Sequence, residues 1–175
     1  MQPIVFKVDL FSRPEDQPRS QRGLLWLLES LCKINQDHLR QKPYPPLYEA
    51  GVRYVREEGT EEWLDIPHVI SAGGGDCEDL ACWRIAEIRE SGGRAAPYVR
   101  YRFLEEHFHY HVLVQHYGRV VRQVGGRAVE KLVPTHKEDP SRRLGMGRKV
   151  PPKPMKKAPS REMVARAAQP EGRAG

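Results

Sequence analysis

Two adjacent glycines, Gly92 and Gly93, separate a stretch of helical periodicity from a stretch of strand periodicity. That division limits the fold more than any other feature. Before it, Leu24, Leu25, Leu27, Leu28, Leu31 and Ile34 recur at the spacing of one broad helical face. After it the period is two. Ala96 to Phe103 reads as a strand and Phe108 to His116 as another, while Arg119 to Val124 pairs with Arg127 to Val133 around Gly125-Gly126. Helices first and hairpin-linked strands afterwards predict an α+β chain with an antiparallel sheet.

Smaller signals fill in the first half. Met1 to Leu10 reads as a short strand and Ser12 to Ser20 as a surface loop, with Ser20 capping the first helix. Gln41 to Pro46 ends that helix through its prolines. A second helix is expected from Pro46, carrying Leu47, Ala50, Gly51, Tyr54 and Val55 and ending by Gly59. Trp63 to Ile70 is expected to be an ordered approach segment. A central helix then runs from Cys77 to Ser91, with Leu80, Ala81, Ile85 and Ile88 on one stripe with Cys77 and a left-handed stop at Gly92-Gly93.

At 175 residues the chain fits one domain and an appendage. No run approaches the ~20 apolar residues of a membrane span. The first ten residues lack the basic-then-apolar layout of a signal peptide, so a cytoplasmic protein without a membrane role is expected. The three cysteines, Cys32, Cys77 and Cys82, are odd in number and have no metal-ligand spacing, which fits a reducing compartment. Eight lysines and arginines against two glutamates between residues 145 and 175 account for the whole net charge of +6. The domain is therefore 1–146, and 147–175 is a basic, Pro-rich extended arm. A neutral domain makes nucleic-acid binding unlikely and leaves the arm to dock a partner. Within the arm, residues 160 to 169 are expected to form a short helix.

The chemistry centres on Gly73-Gly74-Gly75-Asp76-Cys77-Glu78-Asp79-Leu80. Asp76 suits an N-cap, which places Cys77 in the first turn, where the helix dipole favours an anion and a thiol is expected to ionise readily. A reactive thiol needs a base and the base an orienting group. His107, His109 and His111 alternate on one strand face; a metal site there lacks a carboxylate or cysteine at a matching offset, so no metal or cofactor is expected. His111 stands apart because it opens the apolar run Val112-Leu113-Val114.

Gly75-Asp76-Cys77-Glu78-Asp79-Leu80-Ala81, with Tyr110-His111-Val112-Leu113-Val114 and the later Asp139-Pro140-Ser141, resembles the transglutaminase-like cysteine peptidase superfamily. The similarity is greatest to bacterial and phage-encoded members with a Gly-Asp-Cys-Glu-Asp core, and it covers roughly Tyr48 to Met146. It implies a papain-like fold with Cys77 as nucleophile, His111 as general base and acid, and Asp139 as the group fixing the imidazole tautomer. The implied chemistry is attack on a protein or peptide carboxamide through a thioester that water or an amine resolves, with the Cys77 N–H helping to hold the oxyanion. One departure is the 28-residue separation of His111 and Asp139 across a Gly-Gly hairpin, where the family places its acid sooner; Glu138 or Glu130 could serve instead. Asp139-Pro140-Ser141 could equally be a turn that caps the chain. Two functions are compatible with these residues. One is a thiol peptidase, amidase, deamidase or acyl transferase in a phage-infected host cytoplasm. The other is a non-catalytic structural or assembly protein of a phage particle, docked to a phage structural protein through the arm.

Overall fold

A computed structural model describes residues 17–57, 62–104 and 107–146, except for the side chains at 103, 104, 107 and 108. The expected N-terminal strand, most of the loop after it, and the arm with its short helix lie outside the described residues. The elements run α1 (Gln17–Gln41), β1 (Arg53–Tyr54), α2 (Ile66–Ala72), β2 (Gly74–Gly75), α3 (Cys77–Glu90), β3 (Ala95–Leu104), β4 (His107–Val124), β5 (Arg127–Glu138) and α4 (Pro140–Arg143). The chain is mixed α and β, with an antiparallel sheet ordered β3-β4-β5 and the cysteine-bearing helix packed on it.

α3 is the axis of the core. On one side Ala81, Cys82, Ile85 and Ile88 meet Leu24, Leu28 and Leu31 of α1 together with Val99, Val112 and Val114 of the sheet. On another side Leu80 and Trp83 meet Leu47, Val52, Ile66 and Val69. The helix is thus buried on two flanks, and Leu80 leaves the single stripe expected for it. Burying Trp83 completely is worth about 3 kcal/mol on area grounds, offset in part by its indole N–H, which is buried without a hydrogen-bond partner. The Arg89 guanidinium donates to both carboxylate oxygens of Glu29 at 2.8 and 3.0 Å, locking α1 to α3.

Three expectations are corrected, and a fourth gains detail. Ser20 lies buried inside α1, whose described start is Gln17, and does not cap it. No helix runs through Leu47 to Val55; Gly51 turns left-handed at φ 72°, and the chain then extends so that Arg53 and Tyr54 pair in parallel with Gly74 and Gly75. A three-proline approach and a positive φ outweigh a merely helical spacing of apolar residues. The approach segment expected to be ordered contains α2, capped by Asp65 and carrying Pro67 in its first turn, where proline costs nothing. Finally, the strands expected at 108–116 and 119–124 are one strand, β4, with a register irregularity between Gln115 and Tyr117. Gly118 lets it pass: a Cβ there would sit 3.0 Å from Thr135 Cγ2.

Candidate active site

α2 ends on Gly73 in the left-handed conformation at φ 75°, and β2 delivers the chain to Asp76, the N-cap of α3. The cap is reciprocal. The Asp76 carboxylate accepts from the Glu78 N–H at 3.3 Å, and Asp79 Oδ2 accepts from the Asp76 N–H at 3.2 Å. Asp79 also accepts from the Leu64 N–H at 2.7 Å, tying the segment before α2 to the start of α3. Gly75 must be a glycine for this arrangement, because a Cβ would lie 2.7 Å from Asp79 Oδ2. Burial pushes the Asp79 carboxyl up to about 8, with Glu78 adding to the rise and the Leu64 and Asp76 N–H groups opposing it.

Cys77 occupies the first position of α3, as the motif predicts, and is buried. Its ionisation is not as expected. Burial first, and then the charge and hydrogen bond of Glu78, push the thiol far above the ordinary cysteine range; the Val112 N–H, which the sulfur accepts, pulls the other way. The helix N-terminus stabilises an anion, but Glu78 already supplies one. The thiol donates to Glu78 Oε2 at 3.0 Å, and Glu78 Oε1 accepts from the Tyr110 hydroxyl at 2.9 Å. Glu78 is 1% exposed, so this carboxylate is held by hydrogen bonds in place of water. Tyr54 closes the site from β1; burial pushes its hydroxyl up to about 12, with Cys77 and Asp76 adding to the effect.

The second half comes from the sheet. His111 Nε2 lies 3.1 Å from Asp139 Oδ2, which makes Nε2–H the donor and leaves Nδ1 as the ring nitrogen without that partner. The separation of 28 residues is closed by the β4–β5 hairpin, whose register ends at Val114 opposite Glu138, so Asp139 emerges beside the His111 end of β4. Asp139 is also a cap: its Oδ1 accepts from the Arg142 N–H at 3.2 Å and opens α4. The turn reading of Asp139-Pro140-Ser141 is thus met, and the same carboxylate also accepts from His111. The alternative acids are engaged elsewhere. Glu138 accepts from Tyr48, from Arg84 Nε at 3.2 Å and from His116 Nε2 at 2.8 Å, while Glu130 pairs with Arg119.

The residues flanking His111 reach the thiol unit directly: Tyr110 through Glu78, and Val112 through the sulfur. The neighbours of His111 on β4 thus meet the Cys77 unit, while His111 itself is joined to Asp139 where β4 approaches α4. The hydrogen bonds of the thiol go to Glu78 and Val112, however, and that of His111 goes to Asp139. Sequence reasoning missed Glu78 and Tyr110. A signal existed for Tyr110: it shares a strand face with Val112 and Val114, where a hydroxyl requires a partner. Of the other histidines, His109 is exposed, and among the described residues no three His, Cys, Asp or Glu side chains gather in a way that could hold a metal ion. No described helix is long and apolar enough to cross a membrane. Cys32 and Cys82 are buried and unpaired by any disulfide. Compared with protein-family models, with curated proteins and with solved structures, the chain matches none.

Proposed function

We propose that this protein is a transglutaminase-like thiol enzyme with a papain-like core, acting on a carboxamide of a protein or peptide in a phage-associated role. The observation that carries the reading is the His111 Nε2–Asp139 Oδ2 contact of 3.1 Å, next to a helix that starts on Cys77. Asp139 orients the imidazole, His111 moves protons to and from the leaving amine and the incoming water or amine, and Cys77 carries the acyl group as a thioester. The test is turnover on a mixed pool of glutamine- and asparagine-containing peptides, followed as ammonia release, new termini and amine incorporation by mass spectrometry. The wild-type chain should turn over, Cys77→Ala should be inactive, and His111→Ala should lose at least about a hundredfold. A wild-type chain that releases no ammonia, cuts no peptide and incorporates no amine sinks the enzyme reading.

A second reading has its own observation. The thiol is buried and bonded to a carboxylate, a resting state that also suits a docking module using the fold alone. On that reading the arm, residues 147–175, engages a phage structural protein. Phage particles assembled with a chain ending at Met146 should then lack the protein; normal incorporation of the shortened chain argues against it.

A further inference from the structure

A carboxylate that accepts from the nucleophile's own S–H, with a tyrosine on its other oxygen and almost no exposure, is not needed to cap α3. Asp76 and Asp79 already do that. Its position matters for proton movement. With the Cys77 thiol 3.0 Å from Glu78 Oε2, moving the proton from sulfur to oxygen leaves the charge of the buried pair unchanged, whereas losing it to solvent would put two anions side by side.

We propose that Cys77 and Glu78 share one proton, and that Glu78 takes it when the sulfur attacks. The proposal rests on the enzyme reading above and refines it, by separating thiol activation from the work of His111 and Asp139. In the reaction, the S–H bond breaks, the proton passes to Glu78 Oε2, and sulfur bonds to the carboxamide carbon while the C=O electron pair moves onto oxygen. As that pair returns, the C–N bond breaks and His111, which enters the cycle with a proton taken up from solvent, gives that proton to the amine. Water then gives a proton to His111 and attacks the thioester. Collapse expels the sulfur, which recovers its proton from Glu78, and all three groups end as they began. The Tyr110 hydroxyl donates to the other oxygen of Glu78 and sets how readily the carboxylate takes the proton.

The titratable groups around the pair are Asp76, Asp79 and Cys82 on α3, Tyr54 on β1, Glu57 and Arg56 just beyond it, and Tyr110 and His111 on β4, the last with Asp139. A window from about pH 5.5 to 7.5 lies below the Asp79 and Tyr54 values, and the His111→Ala variant separates the shared proton from the imidazole. The experiment is the rate of iodoacetamide alkylation of Cys77 across that window in the full-length chain, read by peptide mass spectrometry. A shared proton makes the fraction of reactive sulfur independent of pH, so the wild-type profile should be flat. Glu78→Gln keeps the shape but cannot take the proton, so its rate should climb about tenfold per pH unit, while His111→Ala should remain flat. Tyr110→Phe, which disturbs folding less, should keep the flat profile and raise it by about tenfold, because a carboxylate robbed of a donor is more basic. A profile that stays flat in Glu78→Gln and becomes steep in His111→Ala overturns the proposal and leaves the enzyme reading intact, with His111 as the thiol's partner. A steep wild-type profile, with Glu78→Gln simply faster at every pH, also overturns it: Glu78 would then only hold the thiol protonated. The peptide turnover assay tests the enzyme reading separately.

Discussion

Asp139 performs two tasks with two oxygens, and they can be separated by one atom. Oδ1 caps α4 and Oδ2 holds His111. Asp139→Asn can keep the cap while presenting an amide or the wrong acceptor to the ring, so its thermal midpoint should stay within about 2 °C of wild type while peptide turnover falls at least about a hundredfold. Asp139→Ala should lose turnover and about 1 kcal/mol of stability as well. Equal melting points for the two variants would show that the cap contributes nothing. Gly75 poses a purely steric case. With a Cβ placed 2.7 Å from Asp79 Oδ2, Gly75→Ala should cost about 1–3 kcal/mol in denaturant midpoint, because the shift falls on the reciprocal cap and not on a mobile side chain.

Between elements, the most connected group is Glu138 at the end of β5. Burial alone would push its carboxyl up, but hydrogen bonds from Tyr48 and His116 and the Arg84 charge overcome this and hold it below the ordinary glutamate range. Those partners come from the 47–49 turn region, β4 and α3, so this one carboxylate fixes the end of β5, from which Asp139 emerges. A carboxyl whose folded value is depressed contributes stability that is fully present above its unfolded value and lost as pH falls through the folded one. Glu138→Gln should therefore be less stable than wild type by about 1–3 kcal/mol at pH 7, and the gap should close below about pH 4. A gap that is constant with pH would mean that the charge is irrelevant. Legibility differed by element for related reasons. α3 announced itself because a capping aspartate at one end and Gly92 at φ 83° at the other mark both boundaries locally. β1 and β2 were invisible, since a two-residue parallel bridge has no periodicity and exists only through partners some twenty residues apart. The β4–β5 hairpin was expected, but its uninterrupted length depends on Gly118 and a local irregularity that no alternation pattern encodes. In the candidate site, motif order singled out Cys77, which starts α3, and the His111–Asp139 pair, which meets through a hydrogen bond. Glu78 escaped because adjacent helix residues usually face different ways, and only the packed start of α3 turns its carboxylate back onto the sulfur.

For the whole molecule, the two core clusters lie on the two flanks of α3, and the sheet's hairpin extends past them. Val121 and Val124 near its tip are 63% and 61% exposed, beyond any described covering element. Replacing both with threonine should change stability by less than about 0.5 kcal/mol each, as measured by denaturant unfolding, because no packing is lost. A much larger loss would place the tip inside an undescribed contact. The chain ending at Met146 should likewise keep the wild-type melting temperature within about 2 °C, since every described core contact lies within it.

The start of α3 is held by backbone from distant parts of the chain. Val55 N–H donates to Gly75 O at 2.9 Å, while Tyr54 N–H donates to Leu144 O at 3.0 Å. The support beneath Cys77 is therefore complete only when residues 54 and 144, ninety positions apart in the sequence, have met. During synthesis the thiol leaves the ribosome well before His111, Asp139 and Leu144, and closing so long a loop is slow compared with forming a helix. A nascent chain thus carries the cysteine through the crowded interval of its own translation before His111, Asp139 and Leu144 exist, and the setting of Cys77 is finished only once the last of the core has been made.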